Sequence, residues 1–388
     1  MSSHTVASAH LALRLLLDPA FTPDPPEVQD QERLCKVAQA GHVFLRVAEQ
    51  LAARGIPLAP AVSEAAGQER RRVQAAVQAI RQIQRVCAER DVACVFLKSF
   101  KHYPDMGGDI DLLVGSRSRT IDRHLERELG FRKETRGFAH AVAGSATYEL
   151  AACPTPLEIF HGRLGVAGEC AAYAAQVTRN RRQVSLAGAR FWVPSREDQL
   201  LLQALGLVWV RSSVRLSDLV SAVDVLRERN LDWDYLLGAA RRLGILTALS
   251  CCAGYAEQVH QRLFDRPLLP PDVAPRLDHD RWRWPSFARD GFSLPVRRLV
   301  VPLYAARLGA AIRGGDGAGF ARLSLVPALG LAALLRRGGR VTRRLRPARP
   351  ASGADPLARS AAAASAGAVP ARGGEPGPGG SGHSRREA

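Results

Sequence analysis

The D-I-D-L-L-V run at 109–114 is the feature that most constrains the fold of this chain. On a β-strand, the side chains of residues i and i+2 project from the same face. We therefore expect a buried strand in which Asp109 and Asp111 project together and Ile110 faces the other side. Because two carboxylates are too costly to bury without partners, the pair indicates a bound cation. Mg²⁺ carrying a triphosphate fits such a pair of oxygen ligands.

A third carboxylate, Glu158, lies on a later β-type run at 157–161. Adjacent strands are about 4.8 Å apart, so Glu158 could join Asp109 and Asp111 if the two strands are neighbours. Three acidic groups in one cleft repel each other unless a cation neutralises them. Two Mg²⁺ ions, roughly 3.5–4 Å apart, could then hold the attacking and leaving oxygens of an in-line displacement.

A turn that contains lysine and serine precedes the paired carboxylates. A β-type run at 92–97 leads into Lys98 and Ser99, and nine residues separate Ser99 from Asp109. Lysine occurs at only four positions of the chain, and Lys98 and Lys101 are two of them. Their ammonium groups could offset phosphate charge, and the serine hydroxyl could contact a triphosphate. We expect these two lysines and Ser99 to bind a nucleotide.

Each of these residues also has a purely structural interpretation. An Asp-x-Asp pair can be a solvated strand end, Glu158 can be a surface residue, and Lys98 can be a strand-end charge. His161 could be a core histidine or a phosphate contact, and the structural role is favoured. The combination of features in this order along the chain favours a functional site over any single residue.

Four motifs give the chain a resemblance to a known family. L-K-S at 97–99 before the run at 109–114 resembles the L-K-G … D-I-D-L-L-V signature of the uncharacterised nucleotidyltransferase family. That family belongs to the DNA polymerase β-like nucleotidyltransferase superfamily. The later stretches at 157–164, 194–202 and 231–244 resemble its third-carboxylate strand, its P-x-x-E-D-x-L-L helix and its L-D-W-D-x-L-L … A-R-R-L-G segment.

The resemblance, over roughly 10–346, implies a Mg²⁺-dependent enzyme. It would move an NMP from an NTP such as ATP to an acceptor hydroxyl and release pyrophosphate, with Asp109, Asp111 and Glu158 as catalytic metal ligands. Glu158 stands where the family usually has Asp. Ser99 stands where the family usually has Gly, and residues 103–108 lack its usual arginine. These departures leave open a catalytically inactive nucleotide-binding or scaffold protein with the same fold.

We predict an α+β fold with a small mixed β-sheet core, helices before and after it, and a disordered tail. The predicted regions are 1–60 (N-terminal helices), 61–165 (nucleotidyltransferase core), 166–346 (mostly helical) and 347–388 (disordered, basic and rich in Ala, Gly and Pro). Apolar periodicity predicts helices at 1–18, 28–54, 63–90, 295–313 and 317–346. A hairpin is predicted from strands at 138–143 and 147–151.

The helical region from 166 onward would select the acceptor, and Asp218 and Asp224 are candidate contacts to it. The net charge is +17, and about half of the excess lies in 336–388. Such charge permits a nucleic-acid partner, which the low aromatic content of 6% does not favour.

The apolar run within 323–346 is too short to span a bilayer but permits weak contact with a membrane surface. Seven cysteines without a pairing pattern predict a reducing cytoplasm. The acceptor and the oligomeric state stay open.

Overall fold

A computed structural model gives an α+β fold, which confirms the predicted class. It describes residues 3–24, 28–115, 119–134, 142–210, 213–228, 230–278, 282 and 292–328. Within these ranges there are thirteen helices and nine strands. The predicted tail at 347–388 and most of the helix predicted at 317–346 lie outside the described residues. Residues 1–331 group into one compact unit, and the regional boundaries predicted inside it stay predictions.

Four helices precede the sheet. They are α1 (Ser3–Leu17), α2 (Gln31–Ala40), α3 (Phe44–Ala53) and α4 (Pro60–Glu89). The single helix predicted at 28–54 is wrong, because the chain breaks at Gly41 and at His42, whose φ is +56°. A Cβ on Gly41 would lie 2.7 Å from a side-chain carbon of Leu216, so this close approach requires glycine.

The central sheet has strand order β1-β2-β5-β4-β3. Its elements are β1 (Cys94–Phe96), β2 (Ile110–Val114), α5 (Arg119–Leu129), β3 (Arg132–Lys133), β4 (Ser145–Leu150) and β5 (Cys153–His161). β2 and β5 run parallel, and the other neighbouring strands are antiparallel. All five residues of β2 are buried, as expected for an apolar central strand.

The predicted hairpin has a different partner. Residues 138–141 lie outside the described residues, and residues 142–143 are helical and not extended. β4 instead pairs with β5 across residues 151–152. Pro154 and Pro156 lie near the start of β5. Pro154 and Pro156 fall where the pairing is irregular, so their missing N–H groups do not break the regular part of the ladder.

Helices dominate the remainder. The elements are α6 (Ala171–Arg179), β6 (Arg182–Leu186), β7 (Ala189–Val193), α7 (Arg196–Val210), β8 (Ser213–Val214), α8 (Leu216–Leu226), α9 (Trp233–Arg242), α10 (Leu246–Phe264), α11 (Ala274–Leu277), β9 (Phe292–Ser293), α12 (Val296–Arg313) and α13 (Gly317–Ser324). Among the described helices, none combines the length and apolar character needed to cross a membrane.

A buried carboxylate fixes the start of α7. Ser195 accepts a hydrogen bond at Oγ from the Asp198 backbone N–H at 3.1 Å, which makes Ser195 the N-cap of the helix. Asp198 is fully buried, and the hydroxyls of Tyr173 and Tyr235 donate to it at 3.1 and 2.7 Å. Burial raises the pKa of Asp198, and these hydrogen bonds oppose the rise. Asp198 thus joins α6, α7 and α9, and its role is structural.

Candidate active site

The three predicted carboxylates meet at the pairing of two strands. Asp111 of β2 lies opposite Glu158 of β5 in the parallel register, and Asp109 precedes β2 by one residue. One oxygen from each lies within 4.8 Å of the others. Asp111 is buried, Glu158 is half-buried and Asp109 is exposed. The β-type run at 110–114 forms β2 as expected, and Asp109 lies one residue before it, so the loop before the strand places Asp109.

The electrostatics of this cluster suit a cation. Burial raises the pKa of Glu158, and the neighbouring charges of Asp111 and Asp109 raise it further, while Ser145 and Lys98 act in the opposite direction. The Lys98 ammonium is 3.3 Å from a carboxylate oxygen of Asp111. The donor set is made only of oxygen atoms, which is the type of ligand that Mg²⁺ prefers.

A cavity of about 410 Å³ contains all of the predicted site residues. It brings the three carboxylates together with Lys98 and Ser99. Ser99 is only 2% exposed, and its Oγ has no hydrogen-bond partner among the described residues. Buried hydroxyls are normally paired. An unpaired hydroxyl on a cavity wall is therefore available to a ligand in the cavity.

Lys101 lines the same cavity but already has protein partners. Its ammonium donates to the side-chain oxygen of Gln203 and lies 3.7 Å from the carboxylate of Asp218. His102 lies 3.9 Å from the same carboxylate. Gln203 and Asp218 belong to the α7–α8 side of the cavity, and Lys101 and His102 reach it from the loop after β1. If Lys101 contacts a ligand, its ammonium group would do so while also bound to Gln203 and Asp218.

Sequence reasoning identified some of the other cavity residues and missed several. Asp218 was a candidate and lines the cavity, whereas Asp224 is not among the lining residues. Ser145, Gln203 and Arg215 also line it and had no local signal, because each reaches the cavity only through the tertiary fold.

His161 lies outside the set of cavity-lining residues. Its Nε2 is 3.3 Å from a carboxylate oxygen of Asp122 on α5. This contact agrees with the structural role favoured for His161 from the sequence.

The loop at 103–108 lacks an arginine but is well anchored. Asp105 is buried, and its carboxylate accepts hydrogen bonds from the backbone N–H groups of Leu45 and Arg46 at 2.6 and 3.1 Å. The Nε of Arg46 adds a third, at 3.0 Å. A carboxylate at the first turn of a helix is a favourable arrangement, since the helix N-terminus carries unpaired N–H groups.

The three carboxylates meet beside the pairing of β2 with β5, and together they could hold a metal ion. The family described as uncharacterised nucleotidyltransferase matches residues 27–261, which is more than half of the chain. The chain belongs to this family, and membership supports nucleotidyl transfer as the general class of its reaction. No curated protein and no solved structure matches the chain.

Proposed function

We propose that the protein is a Mg²⁺-dependent nucleotidyltransferase. It moves an NMP from an NTP, such as ATP, to an acceptor hydroxyl and releases pyrophosphate. The observation that carries the proposal is the meeting of Asp109, Asp111 and Glu158 within 4.8 Å. Their cavity also contains Lys98 and the unpaired hydroxyl of Ser99.

Each residue has a role that follows from its position. Asp109, Asp111 and Glu158 would hold Mg²⁺, and a set of three carboxylates permits two ions to bind. Bound Mg²⁺ neutralises phosphate charge and lowers the pKa of a hydroxyl. A metal held by Glu158 would lower the pKa of the acceptor hydroxyl, or Glu158 would itself accept the proton of that hydroxyl. Lys98 offsets charge on the phosphates, and Ser99 donates a hydrogen bond to a phosphate oxygen.

The α7–α8 side of the cavity supplies contacts for the acceptor. Gln203 and Asp218 present an amide and a carboxylate there, and Leu202 and Leu205 add apolar surface. This mixture is typical of a small-molecule pocket, in which a few polar groups orient a ligand against apolar walls. The position supports the expectation that the helical region selects the acceptor.

The test is label transfer from each of four α-labelled NTPs into cell extract with Mg²⁺. The wild type should give a labelled product that Asp111→Ala does not form. Asp272→Ala is the matched control, because Asp272 is exposed and lies outside the cavity. Absence of any Asp111-dependent product would reject the transferase.

The second candidate is a catalytically inactive nucleotide-binding or scaffold protein. The replacements at Ser99 and Glu158 and the loop without arginine at 103–108 favour it. It predicts that Mg²⁺-NTP raises the melting temperature of the protein without turnover. Turnover by the wild type that disappears in Asp109→Ala would exclude it.

Location and further partners stay predictions. All seven cysteines are unpaired, as expected for the cytoplasm that we propose as the site of the reaction. A nucleic-acid partner remains possible but not favoured. Weak membrane-surface contact through 323–346 is also a prediction, and most of that segment lies outside the described residues.

A further inference from the structure

The loop that lacks its own arginine receives one from α4. The Arg72 guanidinium donates from Nη2 to the backbone carbonyl of Met106 at 2.9 Å. It donates from Nη1 to the carbonyl of Gly107 at 3.1 Å. These two carbonyls belong to the residues just before Gly108 and Asp109, so Arg72 holds the backbone immediately before the first carboxylate.

The same guanidinium also reaches β5. Nη1 of Arg72 donates to Oγ1 of Thr155 at 2.9 Å, and Thr155 is only 1% exposed. Thr155 lies three residues before Glu158 on that strand. One nitrogen atom therefore connects the loop that carries Asp109 to the strand that carries Glu158.

Glu69 fixes the orientation of the guanidinium. Arg72 donates from Nε to one oxygen of Glu69 at 2.9 Å and from Nη2 to the other at 2.6 Å. These bonds raise the pKa of Arg72, so it stays charged. Together with Met106, Gly107 and Thr155, they give five hydrogen bonds. An arginine has five N–H donors in a fixed fork, which a lysine cannot reproduce.

The position of Asp109 depends on these hydrogen bonds from Arg72 more than that of Asp111 does. The backbone of Asp111 is fixed by the pairing of β2 with its neighbours, whereas Asp109 precedes the strand. The three carboxylates repel one another, and this repulsion pushes Asp109, the exposed member, away from the cluster.

We propose that Arg72 is a positioning residue for the metal site. It lies outside the set of cavity-lining residues and acts by setting the separation of Asp109 and Glu158. The inference rests on the proposed function only in that the carboxylate triad binds Mg²⁺.

The experiment compares Arg72→Met and Arg72→Lys with Arg71→Met, a control at an exposed arginine of the same helix. Mg²⁺ alone is titrated calorimetrically, and amide hydrogen exchange is followed in the metal-free proteins. We expect Arg72→Met to weaken Mg²⁺ binding about 10- to 100-fold, the usual effect of removing a residue that orients metal ligands. Exchange should accelerate at residues 106–109 and stay unchanged in β2.

Arg72→Lys should not restore Mg²⁺ affinity, and Arg71→Met should match the wild type. A folded Arg72→Met protein with wild-type Mg²⁺ affinity would overturn the inference. If Arg72→Met does not fold, Thr155→Val is the variant that tests the inference. It removes only the hydrogen bond from Arg72 to β5. We expect Thr155→Val to weaken Mg²⁺ binding several-fold, and unchanged affinity would overturn the proposal. A wild type that binds no Mg²⁺ would instead reject the proposed function.

Discussion

Replacing Glu158 by glutamine should stabilise the metal-free protein, although it removes a proposed catalytic group. The amide keeps the shape of the side chain and can still accept a hydrogen bond from Ser145. What changes is the charge. Folding gathers three carboxylates within 4.8 Å, and two unit charges at that distance repel by about 3.5 kcal/mol at an effective dielectric constant of about 20.

Lys98 offsets part of this repulsion, and solvent screens it because the lysine side chain is 49% exposed. The net gain expected for Glu158→Gln is therefore about 1–2 kcal/mol, or roughly 1–3 °C in melting temperature. The gain depends on pH because the pKa of Glu158 is raised above its ordinary value of 4.5 by folding. It is absent below that value and grows as the pH rises through the folded-state pKa.

The assay is thermal unfolding at about pH 8 in excess EDTA and then in excess Mg²⁺. The wild type should gain about 2.7 kcal/mol when Mg²⁺ is 100-fold above its dissociation constant, and the variant should gain less. The order of the two melting temperatures should therefore reverse on adding metal. Glu126→Gln, at an exposed position of α5, should show neither effect. A variant that is less stable than the wild type in EDTA would refute the repulsion argument.

Two further outcomes test Ser99 on the cavity wall and the backbone at Gly168, next to Ala143. Ser99→Ala should leave the melting temperature unchanged, because its Oγ has no partner among the described residues, and should weaken Mg²⁺-NTP binding by roughly 10-fold in calorimetry. A normal affinity would remove Ser99 from the nucleotide site. Gly168→Ala should cost more in urea unfolding than Gly130→Ala. Both glycines have positive φ, at +66° and +71°, but only at Gly168 would a Cβ lie 2.3 Å from a backbone oxygen, that of Ala143. Equal losses of about 1–2 kcal/mol would show that the loop relaxes.

The sequence identified the members of the carboxylate cluster but not the way in which they are held. The apolar runs at 110–114 and 157–161 are local patterns, and both lie in strands. The parallel pairing of β2 with β5 depends on the tertiary fold, because α5, β3 and β4 lie between these two strands in the chain. The placement of Asp109 outside β2 depends on loop anchors from α3 and α4, for which the sequence carries no local signal.

The contacts of Arg72 with the loop and with β5 could not be predicted from the sequence either. Residues 70–72 are three consecutive arginines, and nothing in the local sequence distinguishes one of them from the others. Arg70 and Arg71 are exposed, and Arg72 alone of the three points between the loop and β5. Only contacts with residues distant in the sequence distinguish it. The break at Gly41 has the same origin, because Leu216 requires it.

The parallel register of β2 and β5 has a consequence for how the chain reaches its native state. A slip of one residue would place Leu157 or Ile159 opposite Asp111 in place of Glu158 and would turn the glutamate to the other face. Neither leucine nor isoleucine can bind a cation. A divalent ion would thus stabilise only molecules whose strands are correctly aligned, and Mg²⁺ present during refolding would enrich the native alignment over its shifted competitors.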